Sequence, residues 1–210
     1  IRWQHPSKGV IPPNAFIPIS EQSGLYFDMD LYVAKQAIKL LEEYPEITKP
    51  ISINISANSL THTDFLDELQ AVISQHPQAI ERLELEITEN ALVRSDTAIQ
   101  HLNALKEMGF TLCLDDFGAG YSSLAYLLKL PLDIIKIDRS FVHYIATSEN
   151  SRAVLRGMLD ICHNLKKKVV VEGVENQEQV DILKAKNIDI AQGFFYFKPM
   201  PVDEILVKAL

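Results

Sequence analysis

The chain has 210 residues, a formal net charge of -8, 47% hydrophobic and 23% charged residues. That composition is that of an ordinary globular domain, and the lack of any basic block excludes binding long nucleic acid by neutralising its phosphates. With no bilayer-length apolar run and no signal-peptide pattern, a cytoplasmic protein is expected, or the cytoplasmic part of a membrane-anchored parent.

The chain opens on Ile1-Arg2-Trp3 without a methionine or a cap. Residues 1–3 read as the tail of a strand, so one domain over 1–210, excised from a longer multidomain protein, is expected. Pro12, Pro13 and Pro18 suggest an N-terminal loop. A helix is predicted over 28–43, with Leu31, Ala34, Ile38 and Leu41 on its apolar face. Then strands and helices alternate. Strands are predicted over 51–56, 83–88, 111–117, 134–138, 168–174 and 190–194. Helices follow them over 64–75, 95–109, 122–130, 149–165, 176–186 and 202–210.

Six strands, each followed by a helix, predict a parallel sheet with right-handed crossovers. An open doubly wound sheet would usually carry a GxGxxG fingerprint after its first strand, and none is present. A closed (β/α) barrel with its first strand largely missing is the better reading. Cys113 and Cys162 lack CxxC spacing and are expected to be buried, reduced thiols in a strand and a helix.

Barrel enzymes gather their chemistry at the C-terminal ends of the strands. Those ends carry Asn54, Glu86 with Glu89, Asp115-Asp116, Lys136 with Asp138, Glu172 with Glu175, and Gln192. A single such residue would ordinarily face solvent, but the fold reading brings the whole set to one rim. Adjacent carboxylates closing a buried strand repel each other and resist desolvation, so a divalent cation is expected beside Asp115 and Asp116. Oxygen donors suit Mg²⁺ or Mn²⁺ rather than zinc. Two such ions would clamp the attacking and leaving oxygens of a phosphoryl displacement. The histidines form no HExxH, and no GxSxG or GxxxxGK[ST] motif occurs.

These residues resemble the EAL domain family, bacterial phosphodiesterases that open cyclic di-GMP. Asp115-Asp116-Phe117-Gly118-Ala119-Gly120-Tyr121-Ser122-Ser123 is similar to its DDFGTGYSS signature. Asn54-Ile55-Ser56-Ala57 resembles NLSA, and Glu86-Ile87-Thr88-Glu89 resembles ExTE. Lys136-Ile137-Asp138 resembles KxD, Glu172-Gly173-Val174-Glu175 resembles EGVE, and Gln192-Gly193-Phe194 with Lys198-Pro199 resembles QGxxxxKP.

The resemblance implies a (β/α)8 TIM-like barrel with one antiparallel strand, and hydrolysis of cyclic di-GMP to linear pGpG. It implies Mg²⁺ or Mn²⁺ on Asn54, Glu86, Asp115 and Asp116, with Asp116 bridging two ions. Lys136 and Glu172 would orient the water, Lys136 being the nearest thing to a base partner. Glu89 would hold the loop Gly118–Ser123, while Arg2, Gln192, Asp138 and Glu175 would serve the substrate. The family's Glu-Ala-Leu would fall just before Ile1; Asn58, Ser59, Ala119 and Phe197 depart from its usual residues. A homodimer and an upstream regulatory or GGDEF-type domain are expected by analogy. The alternatives are a catalytically inactive EAL-type domain acting as a cyclic di-GMP sensor or protein-interaction module, and a barrel phosphohydrolase with another substrate.

Overall fold

The computed structural model describes residues 1–89, 96–120 and 124–208, apart from the side chains of 124–126. The chain divides into two compact units, Ile1–Leu85 with Ala91–Phe110, and Glu86–Asn90 with Thr111–Leu210.

The first unit begins with a hairpin. β1 (Trp3–His5) pairs antiparallel with β2 (Gly9–Ile11). The opening strand thus starts at Trp3 rather than ending there. Two helices follow, α1 (Pro13–Gln22) and α2 (Tyr26–Glu43). A loop was expected where α1 lies. Pro13 at the first helical positions lacks only an N–H that would have no partner there, so it starts the helix without cost. Pro18 sits inside α1. Next come β3 (Ile51–Asn54), α3 (Ala57–Leu60), α4 (Phe65–Ile73) and a 3-10 turn (Pro77–Arg82). β4 (Leu83–Thr88) lies beside β3, and α5 (Asp96–Glu107) belongs to the same unit as β3. The apolar face of α2 is buried through Leu31, Ala34, Ile38 and Leu41, as its 3.6-residue spacing requires.

The second unit takes up the end of β4 and continues with β5 (Thr111–Phe117), α6 (Leu124–Lys129), β6 (Ile134–Ile137) and α7 (Ser140–His143). It ends with α8 (Glu149–Asn164), β7 (Lys168–Val171), α9 (Gln177–Lys184), β8 (Ile190–Ala191) and α10 (Val202–Lys208). The strands hydrogen-bond in chain order from β4 to β8, and β5–β6, β6–β7 and β7–β8 are parallel. Strand, helix and next parallel strand in this order make a TIM-like α/β fold.

Such strands are covered on both faces, which is why they read as unbroken apolar runs. All four residues of β6 are buried, Lys136 among them. Cys113, Ile134 and Val170 pack as one apolar cluster. Both cysteines are buried free thiols, and burial pushes the Cys162 thiol up to about 11.

Strands β7 and β8 are shorter than the apolar runs that announce them. Each ends where the backbone turns to hold its neighbour. Val174 N–H donates to the Gln192 carbonyl at 3.0 Å, and Phe195 N–H to the Val174 carbonyl at 3.0 Å. Gly193 lies so close that a Cβ there would stand 2.1 Å from the Val174 carbonyl oxygen. Gly193→Ala should therefore destabilise the protein by roughly 1–3 kcal/mol, as overpacking against backbone does. In α8, a Cβ on Gly157 would meet open space, so Gly157→Ala should stabilise by about 0.5–1 kcal/mol. Urea unfolding of both variants checks this pair; an unchanged Gly193→Ala protein would contradict the close approach.

Candidate active site

The pairing of β5 with β6 slips at the centre of the site. Leu114 is level with Ile135 and Phe117 with Ile137, so Asp115 and Asp116 together stand opposite Lys136. In a regular strand, neighbouring side chains point to opposite faces. A bulge inserts one extra residue and re-aims those beside it. The extra residue is accommodated by Asp116, whose φ is 55°. Aspartate tolerates this left-handed conformation better than most residues with a side chain.

Three carboxylates meet the Lys136 ammonium. Its Nζ lies 2.9 Å from Glu86 Oε1, 3.0 Å from Asp115 Oδ1 and 2.7 Å from Glu172 Oε1. Lys136 is 5% exposed and Glu86 8%. Burial opposes the lysine charge, but Glu86, then Glu172 and Asp115, outweigh it and hold the ammonium well above its usual pKa. Lys136 is therefore a fixed cation at neutral pH.

The acids are not all satisfied. Glu172 has its pKa raised by burial, against the pull of the Lys136 hydrogen bond and charge. Asp116 is raised by desolvation, then by the Asp115 and Asp138 charges, with Lys136 and Arg139 opposing. Asp115 Oδ1 is buried and lacks a hydrogen bond of proper geometry, although the Lys136 nitrogen is within ion-pair distance. One oxygen each from Asp115, Asp116 and Glu172 fall within 4.8 Å of one another. Hard oxygen donors, an excess of negative charge and a buried oxygen without a hydrogen bond together fit a divalent cation.

The other expected residues are placed as follows. Glu89 accepts the Gly118 N–H at 3.2 Å. Phe117 is buried, and a Cβ on Gly118 would come within 2.6 Å of the Phe141 ring. Ala119 and Gly120 are exposed; Tyr121, Ser122 and Ser123 lie outside the described residues. Asp138 is half-buried and accepts the Ser140 N–H at 3.0 Å. Burial works against its charge, but bonds from Ser140 and Arg139 prevail and lower its pKa. Glu175 and Gln192 are exposed. Asn54 and Arg2 are exposed residues of the first unit.

Asp30 and Arg139 are among the residues that the sequence alone does not single out. Asp30, buried on α2, accepts the Ser56 N–H at 2.8 Å and so anchors the turn just after Asn54. Arg139 follows the KxD match, and its Cβ would stand 2.2 Å from any Cβ on Gly173. A polar residue at a helical position gives no hint of its distant partner. The Gly173 in EGVE was a signal of close approach that could have been followed to Arg139.

The model of the EAL domain matches residues 1–199. The chain is 35% identical over 206 residues to "Cyclic di-GMP phosphodiesterase NbdA" of Pseudomonas aeruginosa, covering 96% of this chain and 26% of that protein. It is 39% identical over 204 residues to "Probable cyclic di-GMP phosphodiesterase PdeG" of Escherichia coli, covering 95% of this chain and 40% of that protein. The chain thus spans well under half the length of these relatives. The solved structure "PaMucR Phosphodiesterase, c-di-GMP complex" superposes with a TM-score of 0.90 at 32% identity, covering 97% of this chain and 84% of that one. The fold and the site together define a TIM-like α/β domain with an acidic centre at its strand ends. The chain belongs to the EAL domain family.

A carboxyl whose folded-state pKa is raised contributes most below its unfolded pKa, and that contribution is lost as pH rises through the folded value. Asp116 is such a group. Asp116→Asn keeps the shape and tolerates the left-handed backbone. It should raise the unfolding midpoint of the protein in EDTA at about pH 7, with the gain shrinking toward about pH 4. Thermal unfolding at both pH values checks this; a variant less stable than the parent at neutral pH would contradict it.

Proposed function

We propose that this domain hydrolyses cyclic di-GMP to linear pGpG with Mg²⁺ or Mn²⁺, two ions being the expected number. The observation that carries the reading is the buried Lys136 ammonium held by Glu86, Asp115 and Glu172, with three carboxylates against one cation and Asp115 Oδ1 left without a hydrogen bond. The names of NbdA and PdeG and the ligand of the MucR complex support the choice of substrate.

In this reading Asp115, Asp116 and Glu86 hold the metal, and Asn54 joins them on the strength of its sequence motif alone. A bound ion of this kind supplies Lewis acidity to a phosphoryl oxygen and makes coordinated water more acidic. The chain's own residues then divide the remaining work. Lys136 stays protonated, so it orients carboxylates and donates a hydrogen bond to water; it does not remove a proton. Glu172, with its raised pKa and its Lys136 contact, is suited to accept the proton of the attacking water. The water oxygen bonds to phosphorus, one P–O ester bond breaks, and the departing ribose oxygen takes up a proton. Glu89 secures the Gly118 backbone and with it the loop after β5. Arg2, Gln192, Asp138 and Glu175 are assigned to substrate contact from their motifs. An upstream regulatory or GGDEF-type domain and a cytoplasmic location belong to the same proposal. No helix among the described residues is long and apolar enough to cross a membrane.

Purified protein incubated with cyclic di-GMP and Mg²⁺ or Mn²⁺ should yield one pGpG per substrate consumed, and EDTA should stop it. Glu172→Gln should lower kcat by roughly 10²–10⁴-fold with the fold retained, the usual contribution of a positioned acid–base group. Chromatography of the products reads both. Tight nucleotide binding without pGpG would replace the enzyme with a binding module.

A further inference from the structure

Gln179 lies in the first turn of α9 and is 3% exposed. A buried amide must find partners for its oxygen and its nitrogen. Its Oε1 accepts the Glu175 N–H at 2.7 Å and the Asn176 N–H at 3.3 Å. Its Nε2 donates to the Val142 carbonyl at 3.3 Å. Asn176 Oδ1 in turn accepts the Gln179 N–H at 3.0 Å, which completes a capping box.

The capping box accounts for only part of this. It needs the Asn176 N–H, yet the shorter bond goes to Glu175. The Val142 bond does nothing for the cap; it reaches 37 residues back to α7. α7 follows the strand that carries Lys136, and Glu175 ends the turn that begins at Glu172. Gln179 therefore joins the connection after β6 to the connection after β7. The same two connections also touch where Gly173 meets Arg139, so closely that a Cβ would be excluded. Between these tethers and the strands lies the 2.7 Å contact of Lys136 with Glu172.

We infer that Gln179 is a positioning residue for the hydrolytic site: it sets the spacing of the two connections so that Glu172 is held against Lys136. The kinetic consequence rests on the proposed phosphodiesterase reaction; the structural one does not. Gln179→Met has similar length without polar atoms. It leaves the Glu175 N–H without its acceptor and breaks the tether to the Val142 carbonyl, which keeps the Ile145 N–H. Asn176→Ala removes the cap but keeps the Gln179 bridge.

With cyclic di-GMP and Mn²⁺, Gln179→Met should lower kcat by about tenfold or more with KM within about twofold, the pattern of a misplaced reacting group. Asn176→Ala should lose thermal stability and keep its kcat. Amide exchange at Glu175 should quicken in Gln179→Met. A Gln179→Met protein with the parent's kcat, or kcat falling in both variants in step with stability, would overturn the inference while leaving the reaction intact. If the parent yields no pGpG, the reaction itself fails, and Glu175 exchange decides: faster in Gln179→Met upholds the positioning role, unchanged overturns it.

Discussion

One buried positive charge holds the site together. Glu86, Asp115 and Glu172 come from three different strand ends and would repel one another if the Lys136 ammonium did not stand between them. Removing one partner from such a buried ionic set generally costs several kcal/mol, because the others stay behind uncompensated. Lys136 does not complete the neutralisation. Asp116 remains, and so does Asp115 Oδ1, which has the Lys136 ion pair but no hydrogen bond; both favour a further cation.

The slip between β5 and β6 makes this convergence possible. Without it, Asp115 and Asp116 would face opposite sides of the sheet. The bulge, with Asp116 in the left-handed region, sets both opposite a single lysine. Strain of this type costs of order 1–3 kcal/mol and persists where the surroundings enforce it. Here Phe117 is buried directly after the pair, and Glu89 fixes the next N–H. Around the site, glycines mark where backbones crowd together: Gly118 against Phe141, Gly173 against Arg139, Gly193 against Val174. The four connections that follow β5, β6, β7 and β8 are thus locked to one another by close contact as well as by hydrogen bonds.

Much of the fold and part of the site were legible in the sequence. Strand runs such as Ile134–Ile137 are apolar because both faces are covered, and helices such as Glu149–Asn164 carry clear periodicity. The adjacent aspartates and the lone lysine announced themselves as charges in buried segments. What stayed hidden depended on partners distant in the chain. The bulge is a relation between two strands. Asp30 and Gln179 look like ordinary helix residues until their partners, 26 and 37 residues away, are known. The α1 helix was masked by its own prolines: Pro13 starts it, and the interior Pro18 would have argued against it.

Whether the carboxylates hold a metal is read most directly from anomalous diffraction of manganese-soaked crystals. A manganese peak within about 2.0–2.3 Å of oxygens from both Asp115 and Asp116 is the expected result. Full manganese occupancy elsewhere, with Lys136 and water alone facing that pair, would contradict it.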